Sequence, residues 1–584
     1  MSTQTTPHLA EEESYSTAGT ATENTPLLRS ETASSVTAAE DGLAGDAATG
    51  GPGLDAGPEL GWKRVTCIVL SMWALIFLQA SNTSGMTMTQ SIIAEELNAY
   101  ENAMWFTSAY LITAASVAPL VGRLAMIFSP SIITLAMSVF FSIGALVTSQ
   151  AWSFSTFILG RVLFGVGGGG ILTLSQVLII QLTSKKRRGL FIGLGNAGFT
   201  VGLSTGAVVF GALVERIGWR ALFLAQSPLG IIAGIGVYLT IPPFHSHERS
   251  KDKSTLQKLA GIDYAGALLL TTAIVVFLYG LAGAIQPLTI LVSLLILAGF
   301  IAFEYLVASD PIIPLAVLEN RGVLMSCLAQ LGFMAARWSI LFFAPIFVLA
   351  VWGLGPALAG SVLIATNAGF GTGGLVVGWL HIRHAGSFWL PCLIALFFFG
   401  LALFGISCVS YAAAPVWLYL ALLFLNGICT GAELNYTLAH MLHLVNHEMH
   451  YVATGMLATF RGFAGSFGTA IGGGIFSRTL TRILTEGLNK LDGTDTLSPE
   501  RVHLIKKLIG SPALVFGGGL TDAERAVAVG GYETALKVLY QSAAALCIVV
   551  FVVQACTGWT GPVSKEEEEE IEEAIAEHDG TMEA

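Results

Sequence analysis

Four ionisable side chains stand inside otherwise apolar runs: Arg161, Arg337, Glu433 and Arg461. An ionised group in hydrocarbon costs on the order of 2.5–3.5 kcal/mol on insertion scales, so each one retained is a candidate for binding or moving charge. Glu433 is the acid nearest the middle of such a run, flanked by Asn426, Gly427, Gly431 and Asn435. Desolvation makes a carboxyl hold its proton more tightly, which suits a group that binds and releases a proton near neutrality. It would equally neutralise a cationic solute. The alternative role is an ion pair with Arg337 or Arg461 that merely joins helices. Arg161 stands three residues before Phe164-Gly165-Val166-Gly167-Gly168-Gly169-Gly170. Those glycines allow a neighbouring backbone to approach closely. They do not form a phosphate loop, since no strand precedes them and no Lys-Ser/Thr follows. Amides accompany the charges: Gln79, Asn82, Gln90, Asn196, Asn367 and Asn426. Most amides in such runs make plain interhelical hydrogen bonds. The formal glycosylation sequon at Asn82 falls inside a span.

Other chemistry is thin. His440, His443, His447 and His450 share one helix face at spacings of 3, 4 and 3, with Glu448 near by. That suits a metal site or a pH sensor, or simply interfacial histidines in a loop. Seven cysteines lie in or beside apolar runs without a close CxxC pair, so neither a zinc site nor a disulfide framework is suggested. No nucleophile–base pair can be assembled and no ATP-binding motif occurs. The chain is therefore not expected to be an enzyme or to carry a cofactor, and any energy source is expected to be an ion gradient.

The elements that position these groups follow from composition. Of 584 residues, 54% are hydrophobic and 11% charged, where soluble domains carry about 25% charged residues. Runs long enough to cross a bilayer, ~20 residues each, are predicted at 65–90, 104–121, 131–149, 155–178, 189–213, 221–241, 264–284, 288–307, 323–350, 357–380, 388–408, 416–440, 451–476 and 534–558. Alternate loops are basic: Lys63 and Arg64, Arg123, Lys185 to Arg188, Arg249 with Lys251, Lys253 and Lys258, then Arg321 and Arg383. The opposite short loops hold little beyond Arg216 and Arg220. This asymmetry places the basic loops, and with fourteen helices both termini, in the cytoplasm. Glu304 and Asp263, near helix ends, are expected to reach the interface. The formal charge of −11 is concentrated in the tails: residues 1–60 and 565–584 carry −9 each, leaving a mildly basic body. That body has no basic stripe with interleaved aromatics, so a nucleic-acid partner is not expected.

The expected organisation is a disordered tail at 1–60, a six-helix bundle at 61–241, and a linker with two extra helices at 242–322. A second six-helix bundle follows at 323–560, containing a long lumenal loop at 477–533, and then an acidic tail at 561–584.

Several phrases resemble the major facilitator superfamily, and within it the fungal fourteen-spanner drug:proton antiporter group. They are Trp105-Phe-Thr-Ser-Ala-Tyr110-Leu-Ile-Thr, Gly122-Arg123-Leu124-Ala125, Arg161-Val-Leu-Phe-Gly165-Val-Gly167, Trp219-Arg220-Ala-Leu-Phe223 ahead of Pro228, Asp310-Pro-Ile-Ile-Pro314-Leu, and Ala453-Thr454-Gly455 with Arg461-Gly-Phe-Ala-Gly465. The resemblance spans roughly 62–560. It implies an all-α membrane protein of the major facilitator fold with fourteen transmembrane helices: two six-helix bundles plus two extra helices, which rock about a central site. It also implies a proton-assisting role for Arg161. The sequence departs from the family pattern where Asn82 replaces the usual Asp of the first helix and where Met126 and Ser129-Pro130 interrupt the loop motif. A third departure is Gly206-Ala207-Val208-Val209-Phe210-Gly211, which stands for Gly-Pro-x-x-Gly-Gly.

Glu23-Asn24-Thr25-Pro26-Leu27-Leu28 is similar to an acidic dileucine sorting signal, in which Glu23, Leu27 and Leu28 would engage an adaptor protein. With it, the nearest branch resembles the vacuolar basic amino acid transporters. The expected function is proton antiport of small organic solutes, basic amino acids foremost, into a vacuole. Glu433 is expected to carry the charge exchange, with Arg161 tuning it and Asn82, Arg337 and Arg461 on the pathway. The expected partners are the small-molecule substrate, protons and the lipid bilayer. Two alternatives stand: a plasma-membrane efflux pump for drugs or a secondary metabolite, and a non-transporting membrane sensor, which the altered Asn82, Met126 and Ala207 would fit.

Overall fold

The computed structural model describes residues 62–103, 105–182, 188–241, 259, 261–282, 285–308, 319–380, 387–445, 450–494 and 496–559. The sorting motif, the two tails and Asp310 to Pro314 lie outside them. Helices dominate because long apolar runs in lipid must satisfy their backbone polar groups internally.

In chain order the helices are α1 (Trp62–Glu96), α2 (Trp105–Ile127), α3 (Pro130–Ser149) and α4 (Phe154–Leu182). The helical stretch Arg188–Thr240 then breaks at Gly218, giving α5 (188–217) and α6 (219–240). They are followed by α7 (Tyr264–Ala282), α8 (Pro287–Leu306), α9 (Arg321–Ala350), α10 (Pro356–Leu380), α11 (Trp389–Cys408), α12 (Val416–His443), α13 (His450–Asp492), a short α14 (Pro499–Gly510) and α15 (Asp522–Ala555). The break needs glycine: Gly218 has φ 77 and ψ 159, a region closed to side-chain-bearing residues. Fourteen long helices are thus present among the described residues. Twelve segments are long and apolar enough to cross a membrane, one of them holding both α5 and α6; α13 is not in that set.

Three boundaries differ from expectation. α1 continues to Glu96, α13 continues to Asp492, and α15 begins at Asp522. The stretch 477–533, expected as a loop, is therefore largely helical, with α14 inside the remaining connection. Hydropathy ended these helices early because their last turns leave the apolar region while the backbone keeps its hydrogen bonds. Glu304 also departs from expectation: it is 3% exposed, buried on α8.

The two bundles repeat one packing scheme. In the first, α1 packs on α5, α2 on α4, α3 on α4 and α3 on α6. In the second, α9 packs on α13, α10 on α12, α11 on α12 and α11 on α15. The glycine run of α4 serves this packing, with Gly165 and Gly169 against the α2 backbone and Gly167 against α3. The bundles meet through α5 with α10 and α2 with α13, contacts that exchange under the repeat. The extra helices stand outside. α7 closes a cluster of Ile112, Ala115, Ile274, Leu278, Phe463 and Ala470 at the α2–α13 seam, and α8 packs against α7. Burial tracks this order: 83% of the apolar stretch of α9 is buried, against 17% for α8. Exposed Ile232, Leu268, Leu295, Leu375, Phe397 and Ile548 form an apolar outer surface suited to lipid, not water.

Candidate functional site

Arg161 projects from α4 into the first bundle and is fully buried. Its Nε donates to the Phe106 carbonyl of α2 at 2.7 Å, and its Nη1 donates to Asn82 Oδ1 of α1 at 2.7 Å. Asn82 Nδ2 in turn donates to Gln226 Oε1 of α6 at 3.0 Å. The guanidinium carbon lies 4.9 Å from the centre of the Tyr110 ring, and the Tyr110 hydroxyl accepts from Gln79 Nε2. Four helices thus converge on one cation through neutral groups. Nη2 is buried without a hydrogen-bond partner. The sequon at Asn82 lies inside the protein, as expected.

Arg337 on α9 is a buried cation of the second bundle, 3% exposed. Its Nη1 donates to Thr366 Oγ1 of α10 and, at 3.2 Å, to Asn426 Oδ1 of α12. Its Nη2 reaches the Thr366 carbonyl at 3.3 Å and Asn367 Oδ1 at 3.4 Å. Asn367 Nδ2 continues to Ser204 Oγ of α5 at 3.0 Å, crossing between bundles. Again every partner is neutral.

Glu433 on α12 is 2% exposed. Its Oε1 accepts from Thr437 Oγ1 at 3.0 Å, while Oε2 is buried without a partner. Its electrostatic neighbours are Cys392 of α11, Cys429 of α12 and Cys547 of α15. Glu433 therefore faces the interior of the second bundle. The ion pair with Arg337 or Arg461 does not form. Arg461 is half-buried on α13 and makes no ion pair among the described residues; its neighbour Gly462 faces Ala115 of α2. Arg161 and Arg337 are thus both buried among neutral partners, and Glu433 stands apart from both.

The histidine row is divided. His440 is fully buried and its Nε2 lies 2.9 Å from Thr557 Oγ1, whereas the His443 ring packs on Phe388. The side chains of His447, His450, Asn196 and Met126 lie outside the described set. Residues that sequence reasoning missed are Gln226, Gln330, Thr366, Thr437 and Gln554. The available signal was polar spacing inside apolar helices: Gln330 and Arg337 are seven apart, and Asn426, Thr430, Glu433, Thr437 and His440 follow one face of α12.

The bundles touch over the half remote from the basic loops. Ala-sized side chains are excluded at the α5–α10 crossing, where a Cβ on Gly211 would meet the Pro356 carbonyl at 2.5 Å and one on Gly360 the Ala207 carbonyl at 2.5 Å. Ser108 of α2 and Thr469 of α13 are 3.3 Å apart. The site is therefore closed on the side remote from the basic loops.

Residues 72–469 match the model of the Major Facilitator Superfamily. The chain belongs to the Major Facilitator Superfamily. As a member it is a multi-pass membrane transporter and not an enzyme. It is 28% identical over 460 residues, 77% of this chain and 84% of the relative, to the multidrug resistance protein fnx1 of Schizosaccharomyces pombe (strain 972 / ATCC 24843). It is 27% identical over 318 residues, 54% of this chain and 56% of the relative, to vacuolar basic amino acid transporter 1 of Saccharomyces cerevisiae (strain ATCC 204508 / S288c). Among solved structures, a bacterial homologue of the human lysosomal transporter Spinster, inward-facing and unoccupied, superposes with a TM-score of 0.58. That match has 15% identity and covers 86% of this chain and 99% of that one. It establishes the shared fold of two helical bundles.

Proposed function

We propose that this transporter exchanges protons for small amino-acid-like solutes, basic amino acids foremost, and loads them into a vacuole-like compartment. The observation that carries the reading is the pair of buried guanidiniums, Arg161 and Arg337, dressed only by neutral groups. A buried charge without a counter-charge is costly. A substrate carboxylate relieves that cost, and the free Nη2 of Arg161 offers it a donor. Asn82, Gln226, Asn367, Asn426 and the Tyr110 ring surround the two cations with acceptors and a π face for the ammonium groups of the same solute. Glu433 supplies the exchangeable proton.

In this reading the basic loops are cytoplasmic, by the positive-inside bias, and the closed side of the site faces the compartment's interior. Arg220, an exception to that bias, is neutralised: it pairs with Glu96, stacks on Trp219 at 4.2 Å and donates to the Ala151 carbonyl at 2.7 Å. The likeness in sequence to a vacuolar basic amino acid transporter supports the substrate class. The similar likeness to a multidrug resistance protein makes drug efflux the competing outcome.

The test is uptake of labelled lysine and arginine by proteoliposomes with an acid interior. The wild-type protein should accumulate both, and Arg161→Ala should not. Glu433→Gln should keep lysine–lysine exchange yet lose accumulation driven by the pH gradient. Unchanged accumulation in Glu433→Gln removes Glu433 from the mechanism. Transport of apolar drugs without amino acids favours the efflux reading.

A further inference from the structure

One buried face of α12 carries Asn426, Thr430, Glu433, Thr437 and His440, each 2% exposed or less. Spacings of 4, 3, 4 and 3 keep them in one line along the helix. The line starts at the Arg337 cluster through Asn426 and ends near the basic end of the bundle at Thr557, which follows α15.

The hydrogen bonds along it have a direction. The Thr557 hydroxyl donates to the Gln554 carbonyl at 2.7 Å, so its oxygen accepts from His440 Nε2–H. The Nδ1 of His440 is then a bare lone pair, and it is buried without a partner. The Thr437 hydroxyl donates to Glu433 Oε1, and the other carboxyl oxygen has no partner. Across the bundle, the side-chain amides of Gln330 on α9 and Gln554 on α15 are buried with neither oxygen nor nitrogen hydrogen-bonded. Native interiors leave few polar atoms unsatisfied, and those they leave call for water or a mobile proton. The titratable groups facing this line are Cys392 from α11, Cys429 and Tyr436 from α12, Cys547 from α15, and His443 beside His440. Cys327 of α9 lies in the same apolar cluster as Met441.

We propose that this face of α12 is a proton path inside the second bundle, with His440 and Thr437 relaying protons between the aqueous phase at the basic end and Glu433. The proposal deepens the reading of Glu433 as the proton carrier and rests on it for coupling to substrate. The path is separate from the gap between bundles, so proton and substrate reach their sites by different routes. Neutral His440 takes a proton from hydronium on Nδ1, releasing water. The imidazolium then passes that proton to the Thr437 oxygen as Thr437 passes its own to the Glu433 carboxylate. The net result is neutral His440 and a protonated Glu433, with Thr437 again a hydroxyl. The separations fit a relay assisted by water: Thr437 is one turn from Glu433, and His440 is about 10 Å along the axis at 1.5 Å per residue.

The test reads the carboxyl directly. In purified full-length protein, the infrared carbonyl band of protonated Glu433 is identified by its loss in Glu433→Gln, and its shift on transfer to deuterated water is timed. The wild-type protein should exchange rapidly. His440→Ala and Thr437→Val should each slow the exchange roughly a hundredfold, the scale of losing a positioned proton-transfer group. His440→Gln, which fills the same space without a titrating ring, controls for packing and should be equally slow. Wild-type exchange rates in His440→Gln and Thr437→Val overturn the path. Absence of a Glu433 band at any pH overturns the parent reading instead. In proteoliposomes the same variants should lose pH-driven accumulation while keeping substrate exchange.

Discussion

Asn82 accepts a hydrogen bond from Arg161 at 2.7 Å and donates one to Gln226 at 3.0 Å, so a neutral amide occupies the place beside the most deeply buried cation of the first bundle. An acid there would neutralise the guanidinium within the protein. An amide positions it and leaves its charge for another anion.

Asn82→Asp should therefore uncouple binding from folding. The carboxylate would pair with Arg161 and compete with a substrate carboxylate, while the Gln226 oxygen would lose its donor. Lysine affinity should fall at least about tenfold, the equivalent of about 1.4 kcal/mol. Thermal stability should change little, because the counter-charge gained by Arg161 is offset by the buried Gln226 oxygen left without a donor. Isothermal binding and thermal unfolding of the same sample check both halves. Undiminished affinity in this variant would place the substrate carboxylate elsewhere.

The contact between Ser108 and Thr469 should part in every transport cycle. These hydroxyls, 3.3 Å apart, join α2 to α13 on the closed half. The double variant Ser108→Cys with Thr469→Cys should form a disulfide under mild oxidation and stop turnover. Reductant should restore it. Full activity in the oxidised, fully cross-linked protein would mean that this seam never opens.

Arg501 of α14 joins Asp492 of α13, at 2.8 Å, to Glu524 of α15. α14 also packs across to the first bundle, with Gly510 against Tyr100. Hydrogen bonding from Arg501 holds the Asp492 carboxyl below its ordinary value of 3.8. A carboxyl depressed in the folded state stabilises fully above its unfolded value and loses that contribution as pH falls through the folded one. The cap should thus remain intact at mildly acidic pH. Asp492→Asn should be less stable than the wild-type protein near neutrality, and the two should converge only below about 3.8. Melting temperatures measured across pH in detergent check this, and a gap that closes near pH 6 would point to a histidine instead.

Length and hydropathy were enough to place long helices along the chain and to mark Arg161, Arg337, Glu433 and Arg461 as ionisable groups inside them. Those properties accumulate along the chain, because a helix that must cross hydrocarbon satisfies its own backbone whatever its neighbours do. Boundaries slipped where helices outrun their apolar segments, as α13 does by reaching Asp492. Partnership was a different matter. Whether Glu433 meets Arg337 depends on which side of α12 faces α9 and which faces α11 and α15, and that is set by how helices cross and pack. The packing put a carboxyl beside Cys392 of α11 and Cys547 of α15 and two arginines among amides of other helices. Neither juxtaposition has a counterpart in local spacing, since the residues that decide them lie tens to more than a hundred positions away.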